Sequence, residues 1–179
     1  MCSILYITIN LQESFYPFIK MKEIKLTTKI HVYPLEESSE IEKKLIMSAK
    51  KASLHAYAPS KFHVGAAVLL EGGEIVWGNN QENAAYPSGL CAERTTVFAA
   101  NATHPDKAVE AIAIAASVNG QFTEAPVTPC GSCRQVLLET QNRFGRPIKV
   151  LMYGGGQIYA VDSIKDILPL SFGEEMLKA

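Results

Sequence analysis

The sequence predicts an α/β fold: a three-layer α/β/α sandwich with helices on both faces of a mixed β-sheet of about five strands. Three observations carry this expectation. Val64–Leu70 and Val109–Ser117 are near-continuous apolar runs, the pattern of strands buried on both faces. Ile41, Leu45, Ala49 and Ala52 fall at helical spacing. The order of elements is a glycine-turned hairpin followed by strand and helix in alternation, which suits a mixed sheet.

Taken in order, Ile24, Leu26, Thr28, Ile30 and Val32 alternate with mostly polar residues and predict a strand with one buried face. Ser39 and Glu42 fit a capping box at the start of the first helix, and Pro59 closes that region. The run Val64–Leu70 and the returning strand Ile75–Gly78 flank Glu71-Gly72-Gly73-Glu74, whose glycines suit a tight hairpin turn. A long polar loop spans Asn79–Leu90. A helix follows over Cys91–Ala102, ended by His104-Pro105. Val109–Ser117 is the next strand, and Thr128–Cys133 runs into a helix over Cys130–Asn142. Ile148–Tyr153 and Ile158–Val161 read as strands joined by Gly154-Gly155-Gly156. That triple glycine lacks the Lys-Ser/Thr of a phosphate loop, so a hairpin turn is the better reading. A short helix from Ser163 and an irregular stretch, Leu168–Phe172, end the reading.

Composition bounds the function. The chain has 179 residues, 17 Lys or Arg, 18 Asp or Glu and a net charge of −1. Such balance argues against a polynucleotide partner. Apolar runs are short and broken by charge, which excludes a bilayer span. Residues 1–20 read as an N-terminal extension without the basic start of a secretory signal, and Met21 as a natural start. Residues 21–179 are then one domain, cytoplasmic in location.

Four cysteines are too few for a secreted disulfide framework, so their placement matters: Cys2, Cys91, Cys130 and Cys133. Cys130-Gly131-Ser132-Cys133 alone reads as a redox pair, half a metal site or an accident. Cys91 starts another predicted helix, and helix N-termini favour the thiolates a metal needs. Three thiolates suit zinc. None of His31, His55, His63 and His104 has a motif-like spacing to them, which favours three protein ligands with a fourth position for water. Glu93 stands two residues past Cys91, where it is either a charge favouring the helix dipole or a proton carrier beside that water.

Joined together, Cys91-Ala92-Glu93-Arg94 and Pro129-Cys130-Gly131-Ser132-Cys133-Arg134-Gln135 resemble the zinc-dependent cytidine deaminases, the small three-cysteine type that acts on free nucleosides. Phe62–Ala67, Asn80–Tyr86 and the tail Leu168–Phe172 are similar to the same family, so the likeness covers roughly residues 40–173. The resemblance implies a cytidine deaminase-like fold with one Zn²⁺ per subunit on Cys91, Cys130 and Cys133. It also implies hydrolysis of cytidine and deoxycytidine to uridine or deoxyuridine plus ammonia, in pyrimidine salvage. Zinc-bound hydroxide would attack C4 while Glu93 shuttles the proton. Asn80 and Glu82 would hold the ribose, Phe62 and Ala92 would contact the substrate, and Tyr86 and Phe172 would contribute across a subunit boundary. The implied assembly is a homo-oligomer, a tetramer ahead of a dimer. Arg94 has a separate rationale: three thiolates and Zn²⁺ sum to a negative site, and a guanidinium on a sulfur draws off charge. Gln81 departs from the family's usual Ile or Val, and Pro59–Phe62 is one residue short of its pattern.

Three rivals remain open at this level. They are an aminohydrolase for another cytosine compound, a polynucleotide deaminase, and a structural zinc module with a fourth protein ligand and no role for Glu93.

Overall fold

The computed structural model describes residues 22–178; the expected extension 1–20 and the proposed start at Met21 lie outside them. Seven strands form one sheet: β1 (His31–Pro34), β2 (Phe62–Leu70), β3 (Ile75–Asn79), β4 (Val109–Val118), β5 (Gln121–Phe122), β6 (Lys149–Gly154) and β7 (Gln157–Val161). Their order is β1-β7-β6-β4-β2-β3, with β5 folded back on β4. All pairs are antiparallel except β4 with β6, which run parallel. Parallel neighbours need a crossover, and α3 (Gly131–Phe144) lies on that connection. The other helices are α1 (Glu40–Ser53) and α2 (Ala92–Thr103).

Side-chain alternation along the strands divides the core in two. On β4, Ala111, Ala113 and Ala115 face a cluster with Leu45, Ile46 and Ala49 of α1. Ile112, Ile114 and Ala116 face the opposite way, toward Val97 of α2 and Leu137 and Leu138 of α3. The three-layer mixed-sheet expectation therefore holds, with seven strands in place of about five.

The capping box forms as expected: Ser39 Oγ accepts from the Glu42 N–H, and Glu42 accepts from the Ser39 N–H. Such a cap contributes about 1 kcal/mol. Leu45 and Ile46 are fully buried, and each contributes about 1.5–3 kcal/mol, so packing rather than capping holds α1 in place. Ile46 takes the buried position expected of Ile41, which is 41% exposed. Gly65 permits the contact: a Cβ there would stand 2.0 Å from the Ala49 carbonyl oxygen and 2.4 Å from the Ser53 nitrogen.

The predicted strand over Ile24–Val32 is corrected. Pairing begins at His31, opposite Ala160 of β7, and runs to Pro34. The described residues upstream have no strand partner, because β7 ends at Val161 and the chain turns into a 3-10 turn capped by Ser163; Thr28 Oγ1 donates to the Asp166 carbonyl in that turn. Ile24, Leu26 and Ile30 are exposed in consequence. The β5 hairpin was missed, although Asn119-Gly120 marks it: both residues have positive φ (51° and 81°), as such turns require. The Glu71–Glu74 and Gly154–Gly156 turns stand where the glycines placed them. Among the described residues no helix is long and apolar enough to cross a membrane.

Substituting Gly65→Ala is expected to destabilise the fold by about 3 kcal/mol through overpacking against the α1 backbone. A lowered denaturant midpoint with unchanged m-value would show it.

Candidate metal centre and substrate cavity

The starts of α2 and α3 meet on the face of the sheet opposite α1. Cys91 is the residue preceding α2 and Cys130 the one preceding α3, both in extended conformation, and Cys133 lies in the first turn of α3. Each helix start leaves backbone N–H groups unpaired and carries partial positive charge, an environment that favours sulfur anions. Cys91 Sγ lies 3.8 Å from Cys130 Sγ, and Cys130 Sγ lies 3.4 Å from Cys133 Sγ. All three sulfurs are within 4.8 Å of one another.

That spacing tests the expected ion. Zinc–sulfur bonds of about 2.3 Å put tetrahedral ligands about 3.8 Å apart. The donor chemistry agrees: among the described residues the cluster holds three thiols and no histidine, a donor set that suits zinc. Burial pushes the Cys91 and Cys133 thiols above their ordinary range. Burial acts the same way on Cys130, but hydrogen bonds from the Cys133 N–H and the neighbouring thiols bring it below. A divalent cation among the sulfurs supplies the charge that deprotonates all three. Arg94 Nη2 reaches Cys91 Sγ at 3.8 Å.

Beside the sulfurs opens a cavity of about 850 Å³. Cys91, Cys130, Glu93, Arg94, Ala92, Asn80, Glu82, Phe62 and Tyr86 all line it. Glu93 is 5% exposed, and burial raises its carboxyl pKa against the opposing effect of hydrogen bonds from its own N–H and the Cys133 thiol. A carboxyl raised in this way in a cavity wall is suited to take and give a proton.

The loop that delivers Cys91 is tightly closed. Gln81 and Leu90 exchange both backbone hydrogen bonds at 2.9 Å, so Cys91 stands one residue beyond a fixed pair. Gln81 Nε2 also donates to Asn79 Oδ1, which gives this polar departure from an aliphatic position a partner. Asn80 is buried, accepting from the Val64 N–H at 2.8 Å and donating to the Phe62 carbonyl at 2.9 Å. One Oδ1 lone pair and one Nδ2 hydrogen stay free. Both oxygens of Glu82 accept from Ser60, one from its hydroxyl and one from its N–H. These bonds hold the Glu82 carboxyl below the usual range. Phe62 follows Lys61, whose φ of 66° is the compact bend by which the shortened segment enters β2.

Two placements differ from the rest. Tyr86 lines the cavity but is 90% exposed. Phe172 does not line the cavity; it is 56% exposed, and its carbonyl accepts from Gln135 Nε2. Sequence reasoning missed Ser60, Tyr57, Val127 and Thr128 of the lining. It also missed Arg134, which donates to the carbonyls of Pro129 and Ile167 and to Thr128 Oγ1. Only adjacency to known motif residues signals them.

The chain is similar to known proteins. The sequence model described as the cytidine and deoxycytidylate deaminase zinc-binding region matches residues 39–144. A cytidine deaminase of Sporosarcina psychrophila is 49% identical over 100 residues, covering 55% of this chain and 69% of that protein. One from Halalkalibacterium halodurans is 39% identical over 135 residues, covering 73% and 93%. The crystal structure of cytidine deaminase from Burkholderia pseudomallei superposes with a TM-score of 0.63 at 38% identity, covering 73% of this chain and 98% of that one. The Mycobacterium tuberculosis enzyme gives 0.59 at 34% identity, covering 74% and 97%. The zinc-region match spans both helix starts that carry the sulfurs, and nearly the whole of two solved relatives is reproduced around them, so this chain is a member of the zinc-dependent cytidine deaminase family.

Proposed function

We propose that this protein hydrolyses cytidine, and deoxycytidine with it, to uridine or deoxyuridine and ammonia. One observation carries the reading: the buried Glu93 carboxyl lines, together with Cys91 and Cys130 of the three-sulfur centre, a cavity large enough for a nucleoside. Zinc on Cys91, Cys130 and Cys133, when bound, supplies a Lewis acid that brings the pKa of water toward about 7. Glu93 is the group that holds the proton: it accepts one from water, donates it to the ring nitrogen N3, and serves the departing amine in turn. Arg94 offsets the negative charge of the sulfurs through Cys91.

Asn80 and Glu82 hold the ribose hydroxyls in this reading, Asn80 with its spare donor and acceptor, Glu82 as acceptor. Phe62 and the buried Ala92 bound the base. The exposed rings of Phe172 and Tyr86 find cover in a homo-oligomer, a tetramer in our reading, where they complete a neighbour's cavity. The working unit is a single domain over residues 21–179. Free cysteines committed to a metal suit a reducing compartment, and we place the enzyme in the cytoplasm. A mixed net charge of −1 supports a small nucleoside over a polynucleotide.

The direct test is the ultraviolet absorbance change of cytidine mixed with the zinc-loaded protein. Loss of cytidine with matching ammonia release is expected; intact cytidine would overturn the reading.

Three further outcomes follow from the geometry. Glu93→Gln should retain zinc and lose turnover by about 10²–10⁴-fold, since it keeps the shape but cannot carry a proton. Cys133→Ser should lower bound zinc well below one per chain, read by elemental analysis, and activity should fall in proportion. Ser60→Ala frees one oxygen of Glu82 from its partner. It should raise KM for cytidine severalfold while leaving kcat near wild type, as steady-state kinetics would show.

A further inference from the structure

The three glycines between β6 and β7 are not equivalent, and the turn does not account for all of them. Gly155 and Gly156 have φ of 55° and 80°, which a tight hairpin turn demands. Gly154 is different: it is the last residue of β6, paired with Gln157 and without a positive φ, where the hairpin would accept any residue. Yet a Cβ on Gly154 would lie 2.4 Å from both Ala125 C and Pro126 N. On Gly155 it would lie 2.5 Å from the Glu124 oxygen, whereas on Gly156 it would meet nothing within 4 Å. The atoms in the way are backbone, so no side chain can swing aside.

The segment pressed against these glycines leads directly to the metal. Gly155 N–H donates to the Thr123 carbonyl at 2.9 Å, which pins the segment to the hairpin at one end. At the other end Arg134 holds the Pro129 carbonyl at 2.8 Å. Prolines at 126 and 129 lock φ near about −65°, so a push between the two anchors is passed on rather than absorbed. Restoring ordinary contact at Ala125, from 2.4 Å to the 3.4 Å where such contacts begin, needs a shift of about 1 Å. Metal sites tolerate about 0.2 Å.

We propose that Gly154 and Gly155 are positioning residues for the zinc centre: the bare backbone of the β6–β7 hairpin is the template on which the loop before Cys130 is laid. The proposal deepens the deaminase reading and rests on the zinc site within it.

The test compares Gly154→Ala with Gly156→Ala. The second carries the cost of a side chain at positive φ but touches no loop atom, so it controls for damage to the hairpin. Three properties are measured: zinc affinity by competition with a chromophoric chelator, the visible spectrum of the cobalt(II)-substituted protein, and the thermal midpoint. Gly154→Ala is expected to weaken zinc binding by about 10–100-fold and to alter the cobalt bands. Gly156→Ala should lower the thermal midpoint and leave affinity and bands at wild type. Should Gly154→Ala not fold, Gly155→Ala, whose methyl meets a single oxygen at 2.5 Å, carries the same expectation. Wild-type affinity and bands in the loop-facing variants, or equal changes in Gly156→Ala, would overturn the proposal. These readouts do not depend on turnover, so a protein that binds zinc but spares cytidine would defeat the deaminase reading alone.

Discussion

Three sulfur atoms on two separate helices must meet within one coordination tetrahedron, and everything else in the fold serves that distance. Helices cannot hold such a tolerance by touching at their tips. Here the β-sheet sets it: α2 and α3 lie on the same face, seated in one core through Val97, Leu137 and Leu138. The parallel pairing of β4 and β6 matters because the connection between them carries α3 back across the sheet. Antiparallel neighbours joined by a short turn would leave no place for a second helix start beside the first.

Burying Glu93 works against stability, since the carboxyl loses solvation that hydrogen bonds from its own N–H and the Cys133 thiol do not make good. Its retention at 5% exposure suits a group selected for proton transfer rather than for folding. The same tension shows in the sulfurs. Cys91 and Cys133 resist ionisation when buried, and a cation reverses that resistance. The centre and its metal are thus mutually dependent, and Arg94 Nη2 stands 3.8 Å from Cys91 Sγ beside them.

Legibility in the sequence followed the range of the interactions. Features encoded within a few residues were readable: the Ser39–Glu42 cap, the glycine turns, and the two cysteine clusters at helix starts. Features set by a distant partner were not. The true start of β1 depends on where β7 stops, which no alternation in Ile24–Val32 can reveal. Ile46, not Ile41, joins Leu45, Ala49 and Ala52 in the buried face of α1, and local spacing alone allows either flank. Ser60 meets Glu82 from 22 residues away, a pairing no local pattern announces. Arg134 sits inside a readable motif, yet one of its acceptors, the Ile167 carbonyl, lies 33 residues along the chain.

The alternation along β4 has a consequence for how the molecule can change. Alanines face α1 and isoleucines face the helices that bear the metal ligands, so the sheet acts as a partition between two separately adjustable halves. Repacking on the alanine side acts on a layer that contributes no cavity residue from α1. Substitutions on opposite faces share few partners, and their free-energy effects should therefore add. Such a division gives the lineage a reservoir: durability can drift on one side of the sheet while the chemistry on the other stays where it is.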